Sequence, residues 1–272
     1  MTSLSSRPLP LAALLLATSA GLPAQSPRQT AWKTLRDGVN DKGADRRSKA
    51  VLALGLLPGE REAVALAELA MQDEKPIVRA AGATALGAML SKASIPKLKN
   101  ALSDKDGSVV LAAALSLVTL KDEKGYDVYY AVLTGQRKTG RERMSEGMKV
   151  LQDPKKLAEF GLEEGIGFVP FGGLGLTAFS ALTKDDVSPV RAAAARVLAK
   201  DPDPRSGEAL GQAAVSDKSG RVRAAALEAI AKRGDPALLS DIEPAMSDGN
   251  DVVRFSAAAA VIRLTTVGER SR

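Results

Sequence analysis

The titratable side chains of this 272-residue chain are carboxylates, lysines, arginines and three tyrosines, because it contains neither histidine nor cysteine. That removes the commonest general base and metal ligand, together with thiol nucleophiles, disulfides and thiolate metal sites. The carboxylate pairs Glu163-Glu164 and Asp185-Asp186 are adjacent in sequence, and such neighbours point about 100° apart on a helix, so they do not converge on one substrate atom. Gly173, Gly175 and Ala178 match the GxGxxA pattern of dinucleotide-binding turns. That turn needs a strand before it and a helix N-terminus after it, whereas an irregular stretch precedes it here. Gly38 and Gly43 have the spacing of a phosphate-binding loop, with Ala44 where its lysine is required. No catalytic residue, cofactor site or metal site is expected, and the chain reads as a non-enzyme. Its carboxylates and lysines leave a lyase-like or other enzyme on the same scaffold as an open alternative.

The polar residues that recur at a fixed spacing are an aspartate and an arginine. Asp41, Asp73, Asp104, Asp185, Asp217 and Asp248 each stand five residues before Arg46, Val78, Val109, Val190, Val222 or Val253, and these reference positions are 32, 31, 81, 32 and 31 residues apart. Arginine comes next in five of the six units, as Arg47, Arg79, Arg191, Arg223 and Arg254, while Val110 takes its place in the third. A helix must position these charges. Apolar residues follow at i, i+3/i+4 and i+7/i+8, as in Val190, Ala193, Ala194, Val197 and Leu198, or Val222, Ala225, Ala226, Ala229 and Ile230, which is one helical face. Pro76 and Pro189 suit the helix start, and Ser108, Ser188 and Ser219 are the expected caps. An earlier helix in the unit is expected at Ala63 to Met71, Ile95 to Leu102 and Leu238 to Met246. Such a hairpin cannot bury its apolar face alone, and stacking of units buries it. With 45% hydrophobic but only 3% aromatic residues, the core is built of alanine and leucine, which lets helices approach closely. The fold class is therefore all-α: an α-solenoid of helical hairpins, three before and three after a helical insert.

The Asp, the Val-Arg pair and the alanine-rich second helix resemble HEAT repeats, in particular the short bacterial HEAT-like repeats of the phycobilisome-lyase type. The resemblance covers Ala31 to about Leu264 apart from the insert. It implies that Asp41, Arg47, Asp73, Arg79, Asp185, Arg191, Asp217, Arg223, Asp248 and Arg254 form a ladder of hydrogen bonds between neighbouring units. Asp104 with Val110 should break it. HEAT-like repeats also occur in an iron-dependent hydroxylase, whose His-Glu metal ligands this chain cannot supply.

The interval of 81 residues leaves room for an insert at about 121–173, between repeats in 25–120 and 174–272. Six of the nine aromatic residues lie in it: Tyr126, Tyr129, Tyr130, Phe160, Phe168 and Phe171. Tyr126, Tyr129, Tyr130 and Leu133 share one helical face, and a second helix with Met144, Met148 and Leu151 and a third from Pro154 follow a polar loop at 134–143. Tyr126, Tyr129, Tyr130, Phe168 and Phe171 are the candidate partner-binding residues, since aromatic side chains provide contact area to a protein partner. Residues 165–182 run without a charge. The second half falls in repeat phase as a first helix at Leu174 to Thr183, while 165–173 either closes over the solenoid or makes a peripheral membrane contact. Residues 1–24 have the layout of a signal peptide cleaved near Ala24, so an exported, periplasmic or extracellular protein is expected. The formal net charge of +6 fits ordinary solubility. Arg137, Lys138, Arg141 and Arg143 are interleaved with Glu142 and Glu146, so no nucleic-acid partner is expected. The function expected is a non-catalytic protein-binding scaffold of the cell envelope.

Overall fold

A computed structural model describes residues 26–134 and 187–271. Among the described residues, helices run in order as α1 (Pro27–Val39), α2 (Ala44–Leu54), α3 (Arg61–Ala70), α4 (Pro76–Ala88), α5 (Ile95–Ala101), α6 (Gly107–Thr119) and α7 (Glu123–Thr134). After 187 come α8 (Ser188–Leu198), α9 (Pro204–Ser216), α10 (Gly220–Arg233), α11 (Leu239–Ile242) and α12 (Asp251–Arg270). No strand occurs among these residues, and the fold is an all-helical α-solenoid.

Local sequence accounts for the helix starts. Ser26 and Gln29 form a reciprocal capping box at α1, and Pro27, Pro76 and Pro204 occupy first-turn positions where no amide donor is needed. Ser108 and Ser219, expected as caps, make no side-chain cap hydrogen bond. Asp106 caps α6, accepting from both the amide and the hydroxyl of Ser108, and Ser108 lies inside the helix. Ser188 is the first residue of α8, and Ser219 sits at the cap of α10 without a side-chain bond. A carboxylate or Asn two residues ahead reaches the free amides better, as Asp203 and Asn250 also show. The first helix expected at Leu238 to Met246 is split into α11 and a 3-10 turn at Glu243–Ser247, with Pro244 at the start of that turn.

The second helices of the units lie side by side. On α4, Gly82 faces its own first helix, where an added Cβ would stand 2.6 Å from the Ala67 carbonyl. Gly87 of α4 faces the next unit, and Ser116 of α6 donates across that contact to the Ala83 carbonyl at 2.8 Å. The core consists of alanines with single large residues between them, including Leu54, Leu86, Leu98 and Leu117 in one half and Leu210, Leu227, Ile230, Ile242 and Ile262 in the other. Each fully buried large side chain contributes about 1.5–3 kcal/mol. The helix α7, expected within the insert, packs directly on α6, with Gly125 against the Ala114 carbonyl and Val128 buried beside Val110 and Ala114.

The order of units in space differs from their order in the chain. The second helices form two runs, α2-α4-α6 and α8-α10-α12, and α12 packs against both α1 and α2. The continuous row is therefore α8-α10-α12-α2-α4-α6, with the last unit of the chain set before the first.

Candidate functional site

The recurring arginine bridges neighbouring units. Arg47 donates through Nε and Nη2 to Asp73 at 2.9 and 2.8 Å, Arg79 to Asp104 at 2.8 and 2.8 Å, and Arg223 to Asp248 at 2.7 and 3.0 Å. Nη1 of the same arginine turns back to the carbonyl of its own unit's aspartate, Asp41, Asp73 or Asp217. Each acceptor aspartate also receives a backbone amide two residues on, from Lys75, Asp106 or Asn250. One fork-shaped guanidinium thus satisfies the loop of its own unit and the carboxylate of the next, a geometry that lysine cannot reproduce. Arg47's hydrogen bonds hold Asp73 below the usual carboxylate range, and Arg223 does the same for Asp248. At Asp104 burial pushes the carboxyl up, but Arg79 together with the Asp106 amide outweighs it and the net direction is down.

Asp104 therefore carries a complete rung with Arg79. What Val110 removes is the donor toward a following unit. Arg191 reaches Asp217 with Nη2 at 3.3 Å, and Asp185 lies outside the described residues. At the junction of α12 with α2 the rung is rerouted. Arg254 donates to the Asp248 carbonyl and to Asp251, Asp251 also pairs with Arg46 at 3.4 Å, and Arg46 reaches Asp41 at 3.1 Å.

The candidate partner-binding tyrosines lie on the outward side of α7. Tyr126, Tyr129 and Tyr130 are 59%, 38% and 53% exposed, while Gly125 and Val128 fill the side against α6. Burial of its surroundings raises the Tyr129 phenol above its ordinary value. The structure brings these three together on one face; Phe168 and Phe171 lie outside the described residues, as do 1–24 and 165–173. No helix among the described residues is long and apolar enough to cross a membrane. The α8 face expected to be core is exposed at Val190 and Val197. In α10 the equivalent Val222 and Ala229 are buried, with α8, α9 and α12 packed around that helix.

Two further polar groups were not foreseen from the sequence. Glu228 of α10 is buried, and burial raises its carboxyl above the ordinary range against the opposing charges of Arg196, 3.5 Å away on α8, and Lys232. Its signal in the sequence is a glutamate where α4 has Thr84 and α6 has Leu115. Arg233 lies beside Lys200, Asp201 and Asp235 in a shallow depression, with its guanidinium donating to the carbonyls of Leu198, Asp201 and Asp203. It ties α10 to the turn after α8. Among the described residues no cluster of three or more acidic side chains could hold a metal ion.

Stacked two-helix units joined by an Asp-Arg rung define a helical-repeat protein, built as a scaffold of successive hairpins. The HEAT repeats family matches residues 65–142 and 177–262, more than half of the chain, and the chain belongs to that family. Similar solved structures include CpcE and CpcF of phycocyanin lyase from Nostoc sp. PCC7120, at 21% identity over 96% of this chain and 100% of that chain, TM-score 0.34. Human deoxyhypusine hydroxylase in complex with glycerol is 20% identical over 89% of this chain and 86% of that chain, TM-score 0.33. An engineered protein is 13% identical over 87% of this chain and 97% of that chain, TM-score 0.30. A comparison with curated proteins finds no match.

Proposed function

We propose that this chain is a non-catalytic, exported scaffold of the bacterial cell envelope, holding a protein partner on the row of second helices and on the tyrosine face of α7. The observation that carries this reading is the exposure of Tyr126, Tyr129 and Tyr130 on one side of a helix whose other side is anchored on α6. Tyrosine combines a large rigid contact area with a hydrogen bond and is enriched in interface cores. Three of them within one and a half turns form a patch of the kind that carries binding energy. The absence of histidine and cysteine leaves the commonest catalytic groups unrepresented, which favours binding over chemistry. Export rests on the signal-peptide layout of residues 1–24.

The test is affinity capture from the envelope fraction with the parent and with a variant in which Tyr126, Tyr129 and Tyr130 are all alanine. Loss of a protein partner by the variant, with unchanged helical circular dichroism, is expected. Retention of every partner of the parent would overturn the assignment of the tyrosine face. Fractionation of cells, with N-terminal sequencing of the mature chain, checks export.

A further inference from the structure

Among the described residues, the substantial packing between 26–134 and 187–271 is that of α12, with the 3-10 turn before it, on α1 and α2. At its centre Phe255 is almost wholly buried, and its ring lies over Gly38 of α1 and near Ala50 of α2. A Cβ added at Gly38 would stand 2.5 Å from the ring edge and 2.7 Å from the Ala50 methyl. The guanidinium groups of Arg46 and Arg254 flank the same ring, 5.9 and 5.6 Å from its centroid. Toward the far end of α12 a polar rim closes the contact. Arg28 donates to Thr266 and Glu269 at 3.0 Å each, Thr266 donates to Glu60 at 2.7 Å, and Arg28 approaches Glu60 at 3.4 Å.

This arrangement differs from the other junctions in the row. The α2-α4, α4-α6 and α10-α12 junctions are each tied by an Arg-Asp fork, and α8-α10 by Arg191, Arg196 and Arg233, with no aromatic side chain between the helices. Here the reference position that holds valine in five units holds Arg46, and Phe255 stands where the other units have Ser48, Ala80, Leu111, Ala192 and Ala224. An aromatic anchor seated in a pocket, flanked by arginines and ringed by polar pairs, is the anatomy of an interface between separate proteins. We infer that the α12 seam is an association surface in its own right: the C-terminal half is a partner that binds the N-terminal half through Phe255 and the Arg28 and Arg46 pairs, and the peptide chain between them is dispensable for holding them together. The seam also sets the order of the stack, because Phe255 fits only a neighbour that offers a glycine and its paired arginine.

The experiment uses the full chain with a specific protease site inserted between Gly140 and Arg141, cut after folding and passed through size exclusion with light scattering at 1 µM, about the concentration that separates weak from stable pairs. Both fragments eluting together at the mass of the uncut chain is the expected result, and two separate peaks would overturn the inference. Phe255→Ala in the same background weakens the association by about a hundredfold or more, so its cut form separates at a roughly hundredfold higher concentration than the parent's, while its uncut form keeps its helical signal. If Phe255→Ala also unfolds the uncut chain, the double variant Arg28→Ala, Arg46→Ala replaces it, with separation expected at raised salt. Cut chains that stay together to the same dilution in these variants as in the parent would place the association elsewhere and refute the role of the seam.

Discussion

Replacing Asp104 by alanine deletes one whole rung of the row while leaving the apolar core untouched. Arg79 then loses two charge-assisted hydrogen bonds of 2.8 Å, and the Asp106 amide loses its 2.9 Å acceptor. The guanidinium cannot turn to water, because Arg79 is only 7% exposed and its Nη1 stays bound to the Asp73 and Glu74 carbonyls. Removing one partner of a buried pair costs about 3–5 kcal/mol. The Asp104 side chain keeps 15% of its surface in solvent, which puts the expected loss at the lower end, about 3 kcal/mol. The control is Asp37→Ala, whose partner Lys33 lies one turn away on the same helix with both side chains more than half exposed; its loss is about 0.5 kcal/mol or less. Urea unfolding at pH 7 followed by circular dichroism compares the two, with a midpoint shift near 1 M for Asp104→Ala if the slope is about 3 kcal/mol per molar. Equal and small shifts in both variants would refute the argument that the rung is held by burial and fork geometry.

Acid provides a second check on the same rungs. Asp73, Asp104 and Asp248 have folded pKa values below the ordinary carboxylate value, so their contribution is present above the unfolded pKa of about 3.9 and is lost as pH falls through the folded values; Asp104→Asn should flatten the fall in melting temperature below about pH 4. Glu228 is the opposite case. Its folded value is raised, so its contribution is present below the unfolded pKa of about 4.3 and is lost as pH rises through the folded value. Glu228→Gln should therefore match or exceed the parent's melting temperature at pH 7.5 and converge on it near pH 4, and a lower value at pH 7.5 would mean that the Arg196 pair outweighs burial. Gly87→Ala puts a Cβ 2.5 Å from the Ser116 hydroxyl and 3.0 Å from the Ser116 Cα, so α4 and α6 must separate. A loss of about 1–3 kcal/mol is expected in the same unfolding assay, and an unchanged midpoint would mean that the junction gives way freely.

Much of this architecture can be read from single residues. The 31- and 32-residue spacing of Asp and Arg locates the second helices, because period and side-chain chemistry are local properties of each unit. The tyrosine face of α7 is legible in the same way from its i, i+3, i+4 spacing. The cap of α6 lies two residues before the expected Ser108, since Ser108 and Asp106 are both chemically able to cap and only the backbone path of the turn chooses between them, while Ser219 does occupy the N-cap position of α10. The burial of Glu228 was not legible, for its position in α10 is equivalent to the partly exposed Thr84 of α4, and only the folded chain brings Arg196 of α8 to 3.5 Å from its carboxylate.

By itself, then, the sequence determined the kind of unit, its length, its register and the residues that bridge one unit to the next. Only the tertiary structure decided which unit follows which. A repeat presents nearly the same apolar face at every junction, so its period carries no preference between a row that ends with the last unit and one that sets the last unit before the first. That choice rests on contacts between residues more than 200 positions apart, Arg28 with Glu269, Glu60 with Thr266, Gly38 with Phe255 and Arg46 with Asp251, where shape and charge must match in space before any of them contributes.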